Sequence, residues 1–283
     1  MKNMIRSFIF LSLISIVFIS CSGNKNNADS DMASDTAAMK ADTSPYNTKA
    51  DFKLSFTIAN LPSPLDVINT VYSTQVPFDN SLLNPTDNSE KYLNAYKRSI
   101  NYGIYGVDMA YIAYYGNKQD LYDYYSTAKK LAGTLGMEKT FEKFSDRFKE
   151  NSDNKDSVMV IVDQAYAETD KYLRTNDRLL TASFVIAGAF MESLHISASL
   201  MKNQEKNAKF NDTFNKIYEQ KLVLNNLVDL FKEFKDKDSA ELEADLQNVK
   251  KVYDDLKDPS QVNKESLQRI SVAIAMARNK AIK

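Results

Sequence analysis

Tryptophan is absent from the 283-residue chain, and cysteine and histidine occur once each. A single Cys and a single His cannot assemble a structural zinc site of Cys and His ligands, and one Cys cannot close an internal disulfide. Glycine is scarce, with seven residues, and neither GxGxxG nor GxxxxGK followed by Ser or Thr occurs, so no glycine-rich phosphate loop is encoded. No charge of one sign dominates: 36 Lys and Arg face 37 Asp and Glu. Without Lys2 and Arg6 the balance is 34 to 37, a net charge of −3. Nucleic acid is therefore not an expected partner, because no basic stripe exists to meet its phosphates.

What is present begins with an address. Lys2 and Arg6 precede an apolar run from Phe8 to Ile19, followed by Ser20 and Cys21. A short basic region, an apolar core of about a dozen residues and a small residue before the cut make a secretory signal. The run is short for a membrane-spanning helix, which needs about 20 residues. Phe18-Ile19-Ser20-Cys21 resembles a bacterial lipobox, with Phe18 in place of the usual Leu. That resemblance implies cleavage before Cys21 and covalent attachment of diacylglycerol and a further acyl chain such as palmitate. Several chains anchor stably where one does not, at about 0.8 kcal/mol per buried methylene. No other cofactor is expected.

Ser22 to Ala50 is built from Ser, Asn, Ala, Asp, Thr and Lys with almost no large apolar side chains. Such a stretch cannot bury enough surface to offset its ordering entropy and is expected to be a disordered tether, holding the rest roughly 30 Å from the bilayer. The expected organisation is a signal peptide over 1–20, a lipidated cysteine and linker over 21–50, and one domain over 51–283.

That domain reads as all-α. Ser63-Pro64-Leu65-Asp66 starts a helix, with Ser63 as N-cap and Pro64 at the first helical position. Helical segments follow at about 89–115, 118–134, 138–150, 155–175, 178–202, 206–234, 239–257 and 264–281. Gly116 and Gly136 stand where C-cap glycines belong. One segment conflicts: Phe52, Leu54, Phe56 and Ile58 alternate with Lys53, Ser55, Thr57 and Ala59, the period of a strand. A compact bundle of eight or nine helices is the expected architecture. The mixed-sign runs at 138–156 and 231–238 read as solvated helix faces.

Two helices are nearly uncharged. Between Ser99 and Gly116 the only charge is Asp108, and from Leu179 to Met201 the only formal charge is Glu192. Ser99, Gly103, Gly106, Ala110 and Ala113 form a face of small residues, which a neighbouring helix can approach closely. Ala187-Gly188-Ala189 supplies a second small patch. Both segments are expected in the core. Gly106-Val107-Asp108-Met109 lies over Gly188-Ala189-Phe190-Met191, which raises a duplicated bundle as an alternative.

Three constellations could carry chemistry. Glu192-Ser193-Leu194-His195 places Glu192 and His195 on one helix face, as in di-metal helical bundles, but the second His such a site needs does not exist. With one His, a Ser-His-Asp triad must use His195, and no nucleophile elbow surrounds it. Asp108 with Glu192 would suit acid/base work on a glycoside only if the fold brings them about 5–9 Å apart. Ten of the sixteen tyrosines lie between Tyr92 and Tyr125, and tyrosine's apolar face and polar tip suit recognition surfaces as well as cores. Tyr105, Asp108, Glu192 and His195 are thus candidate ligand-binding residues, and Tyr114, Tyr115, Tyr122, Tyr124 and Tyr125 a candidate partner surface. No catalytic or metal-ligating residue is assigned.

Leu61-Pro62-Ser63-Pro64-Leu65-Asp66, Ser81-Leu82-Leu83-Asn84-Pro85, Asn101 to Tyr111, Lys130 to Gly136 and Met191-Glu192-Ser193-Leu194-His195 resemble, in order, segments of an uncharacterised helical lipoprotein family of Bacteroidota. Its segments read IPSPLE, LLNP, NLGVYGADLSY, KLAxxLG and WIESLY. The sequence departs at Ala187-Gly188-Ala189-Phe190, and at His195, where the family has Tyr. The resemblance implies an exported, helical outer-membrane lipoprotein, periplasmic or surface-exposed, with no established activity to carry over. Two functions fit these features: a non-enzymatic binding or assembly component of the cell envelope, which is favoured, and a ligand- or metal-dependent enzyme using the Asp108, Glu192 and His195 cluster. The expected partners are the membrane, through the lipid anchor, and an envelope protein or small ligand.

Overall fold

The computed structural model describes residues 48–59 and 63–283, all of them within one unit, Met39–Lys283. Cys21, the signal segment and all but the last three residues of the expected tether lie outside the described residues. Eleven α-helices run in chain order among the described residues: α1 Thr48–Ala59, α2 Pro64–Ser73, α3 Ala95–Tyr115, α4 Lys118–Thr134, α5 Glu138–Glu142, α6 Ser145–Asn151, α7 Lys155–Thr175, α8 Leu179–Met201, α9 Asn211–Phe231, α10 Lys237–Asp254 and α11 Lys264–Ile282. No strand occurs among them.

Local chemistry places most of these boundaries. Ser63 Oγ accepts from the Leu65 amide, with Pro64 at the first turn of α2. The side chains of Asn94, Asn117, Asn154, Asp236 and Asn263 accept from third-position amides at the starts of α3, α4, α7, α10 and α11, each satisfying a donor the helix leaves orphaned. Gly116 ends α3 at φ 76°. Gly136, at φ 69°, ends α4 in a Schellman turn in which the Met137 amide donates to Ala132 O and the Gly136 amide to Gly133 O.

The alternating segment 52–58 is a helix, not a strand, and it corrects the period-2 expectation. Leu54 and Thr57 are buried, an i, i+3 pair on one helical face, while the Phe52 and Phe56 rings stack at i, i+4 with centroids 6.4 Å apart. Seven residues are too few to separate the two periods, and among the described residues no second strand supplies a ladder. The count also rises above eight or nine, because α1 is helical and 138–150 breaks at Lys143-Phe144 into α5 and α6. Residues 89–91, expected to open the α3 helix, instead end a 3-10 turn that runs from Thr86 to Lys91.

α8 is the central helix: α1, α2, α3, α7, α9 and α11 all pack on it. It is long and apolar enough to cross a membrane by length and composition, but its surface is covered by those six helices, and apart from half-buried residues such as Leu180, Ile186 and Ser199 it is buried. Its closest neighbour is α3, and glycine sets that approach. A Cβ at Gly103 would overlap the Val185 carbonyl oxygen, and one at Gly188 the Ile100 carbonyl oxygen. The small face foreseen on α3 is divided between two neighbours, since a Cβ at Gly106 would strike the Tyr166 hydroxyl on α7. Gly106 and Gly188, which the sequence alignment of the two helices superposes, therefore meet different partners.

Candidate functional site

The lone charges of α3 and α8 do meet. Asp108 and Glu192 are both fully buried, and the Asp108 carboxyl sits within hydrogen-bonding reach of Glu192. Arg278, from the last turns of α11, closes the cluster. Its Nε donates to Glu192 Oε2 at 2.5 Å and its Nη2 to Oε1 at 2.7 Å, a two-pronged fork. Nη2 also donates to the Leu82 carbonyl at 2.9 Å.

Burial, then the neighbouring Glu192 charge, push the Asp108 carboxyl well above the ordinary carboxylate range, against the pull of Arg278. Protonation fits its geometry: Oδ2 accepts from the Asn84 amide at 3.2 Å, Oδ1 finds no donor, and the neutral acid has a proton to offer the Glu192 carboxylate beside it. One negative charge then faces one guanidinium, which is the arrangement a dry interior tolerates.

His195 lies one helical turn along α8 from Glu192. Burial lowers it to about 4, with the Glu192 charge opposing and Arg278 and Lys202 adding to the fall. Its ring is hydrogen-bonded to the Leu82 backbone, and Nδ1 is buried without a partner. The ring is therefore neutral, with Nε2–H donating to the Leu82 carbonyl.

Over this cluster lies the 79–92 loop, tied at many points. Tyr105 donates to Pro85 O at 2.9 Å. Asn84 Nδ2 donates to Tyr92 Oη and Asn101 Oδ1, each at 3.0 Å, and Tyr92 donates to Ile282 O at 3.3 Å. The Asp79 amide donates to Tyr111 Oη at 2.9 Å. Asn101 Nδ2 reaches Ala281 O at 2.9 Å, and Lys97 Nζ donates to Lys280 O, so side chains of α3 cap the carbonyl end of α11. Tyr105, Asp108, Glu192 and His195 thus form one constellation whose donors and acceptors hold the loop and the last helix. Sequence reasoning missed Arg278, which sits in a segment rich in basic residues with nothing local to distinguish it, and Asn84, whose only signal was the LLNP-like segment it belongs to.

The tyrosine surface is corrected by burial. Tyr114, Tyr124 and Tyr125 are buried, Tyr115 is half-buried and Tyr122 alone is exposed, at 38%. Tyr114 stacks on Tyr72 at 5.0 Å and Tyr115 meets the same ring edge-on at 5.4 Å. Tyr125 stacks on Phe148 at 4.1 Å and donates to Ser145 Oγ at 2.6 Å. Tyr124 packs edge-on against Tyr105 at 5.8 Å, and Tyr122 against Phe148 at 5.7 Å. These rings take the place of tryptophan in the core, and the Tyr115, Tyr122 and Tyr125 hydroxyls bond to Val76 O, Ser152 Oγ and Ser145 Oγ.

Among the described residues no group of three or more His, Cys, Asp or Glu side chains could hold a metal ion. What opens to solvent is different in kind. A cleft of about 370 Å³ runs between α7 and α8, walled by residues including Leu173, Ala182, Val185, Ile186, Ala189 and Phe190, with Asp170 and Arg174 on its α7 side. Its volume falls in the range of small-molecule sites, about 300–1,000 Å³. A separate void of about 40 Å³, lined by aromatic residues of α3 to α7, has room for little more than a water molecule. No family model, curated protein or solved structure matches the chain.

Proposed function

We propose that this chain is a membrane-anchored lipoprotein of the cell envelope whose helical domain acts as a binding component and not as an enzyme. The observation that carries this reading is the Arg278 fork. Both Glu192 oxygens are taken by one guanidinium, the fully buried Asp108 carboxyl faces Glu192 and accepts from the Asn84 amide, and His195 is neutral and turned to a backbone carbonyl. A general acid or base must reach substrate; these groups are buried and bonded to one another and to the loop above them. The α7–α8 cleft, by contrast, is open, apolar and of ligand size. The lipobox-like Phe18-Ile19-Ser20-Cys21 supports anchoring, and the polar stretch after it supports a domain held off the bilayer.

Metabolic labelling with an alkyne analogue of palmitate, combined with crosslinking in the native envelope, tests both halves. Wild-type protein should take the label and sediment with membranes, whereas Cys21→Ala should lose the label and leave the membrane fraction. Crosslinking should capture a recurrent partner or a cleft-bound small molecule. An unlabelled wild-type protein, or turnover lost on Asp108→Asn with the fold intact, would overturn the proposal.

A further inference from the structure

We infer that the chain pairs with a second copy of itself through the outward face of α11, the two α11 helices running antiparallel about a two-fold axis level with residue 274. The inference goes beyond the binding reading and does not depend on the lipid anchor.

The outer line of α11 has the period of a helix–helix seam. Glu265, Arg269, Val272, Met276, Asn279 and Lys283 recur at alternating steps of four and three, which keeps them on one stripe of the helix, and all six are exposed. Val272 and Met276, at the centre of the stripe, are 62% and 64% exposed. They edge a groove of about 520 Å³ between α10 and α11, whose other apolar walls are Val252, Ala273 and Ala277. Apart from the Phe52–Phe56 stack on α1, the other exposed large apolar side chains among the described residues, such as Leu93, Val160 and Leu222, come one to a segment, which is ordinary for a surface.

Charge selects the occupant. Lys280 pairs with Asp245 and Arg269 with Asp255, at 2.5 Å each. Each end of the groove thus carries a neutral ion pair, which gives an acidic or basic partner no net charge to meet. Among the described residues no buried side-chain polar atom lining this groove lacks a hydrogen-bond partner, so no polar small molecule is called for. A second copy fits instead. In the antiparallel pair two residues stand level when their numbers lie equally far on either side of 274. Val272 then meets Met276 of the partner subunit, Arg269 meets Asn279 of the partner subunit, and Glu265 meets Lys283 of the partner subunit. The apolar centre is covered, a guanidinium faces an amide oxygen, and the ends carry opposite charges. A parallel pairing would set Glu265, Arg269 and Lys283 each against its own copy, like charge on like. Two helices about 28 Å long and about 10 Å apart offer a face of roughly 600 Å² per copy, near the lower limit for a specific interface, so the dimer is reversible.

The test is disulfide formation in the full-length protein within its own envelope, oxidised with copper phenanthroline and read on non-reducing gels. Residues 269 and 279 lie about 15 Å apart along one helix, out of reach of a disulfide, whose Cα atoms stand about 4.4–6.8 Å apart. The double variant Arg269→Cys/Asn279→Cys should therefore link only between copies, with a dimer band about tenfold or more stronger than from Arg269→Cys or Asn279→Cys alone. Adding Met276→Glu, at a mostly exposed position, should return the double variant to the single-variant level, with melting followed by circular dichroism to verify that it folds. Equal bands from single and double variants, no band from the folded double variant, or a band that survives Met276→Glu would overturn the inference. Wild type carries Cys21 as its only thiol. A wild-type dimer through that thiol would sink the lipidation reading and leave the difference between double and single variants standing, so the two failures are told apart.

Discussion

At Asp108 and His195, burial acts on groups of opposite charge type, and the two titrations pull stability in opposite directions. Asp108 is raised in the folded chain, so the fold holds a proton there that the unfolded chain has released. Its contribution is complete below the unfolded carboxyl value near 3.8 and is lost as pH rises. His195 is lowered from 6.5 to about 4; its contribution is complete above 6.5 and is lost as pH falls toward 4, by about 3 kcal/mol. Between pH 4 and 6.5 the two slopes offset. Thermal melts across that window should show Asp108→Asn losing stability on acidification faster than wild type. His195→Gln, which keeps a donor for Leu82, should lose it more slowly or gain. Parallel profiles for all three proteins would refute the coupled cluster. Asp108, Glu192 and His195 were legible in the sequence because each interrupts an apolar run, where a polar group must have a partner. Arg278 was not, because in a basic amphipathic helix one buried cation looks like its exposed neighbours.

Among the helices, the α3–α8 crossing is the element-level feature on which the site depends, since it sets how closely Asp108 approaches Glu192. Gly188→Ala should destabilise the protein by about 3 kcal/mol or more, because the new methyl meets the Ile100 backbone carbonyl, which has no rotamer to yield. Gly133→Ala, on an α4 surface with nothing within 4 Å of the new Cβ, should stabilise by about 0.5–1 kcal/mol through helix propensity alone. Chemical denaturation of the pair checks the contrast; equal and small effects would mean the crossing is looser than its backbone contacts require. The small-residue spacing announced a close approach, but not that Gly103 and Gly106 serve different neighbours. For α1, seven alternating residues fit a strand or one helical face, and only packing against α8 and α9 selects the helix.

For the molecule as a whole, the chain closes through its C-terminus. Lys280, Ala281 and Ile282 carbonyls accept from Lys97, Asn101 and Tyr92, so the end of α11 is bound to the start of α3 and to the loop over the buried acids. Removing residues 279–283 should reduce stability by about 1–3 kcal/mol for each buried group left unsatisfied. Hydrogen exchange should then show lost protection across the 79–92 loop and the first turns of α3; changes confined to α11 would refute this closure. Helical class, most helix starts and the two core helices were determined by the sequence itself, because caps, C-terminal glycines and apolar periodicity act within a few residues. The exposed tyrosine surface was not there to be read: whether a ring is covered depends on helices far along the chain, and Tyr125 is buried by Phe148 and Ser145. The same holds for the Arg278 fork and for the cleft. A salt bridge spanning 86 residues and an empty space between two helices have no local signature, because both come into being only when separate elements are packed together.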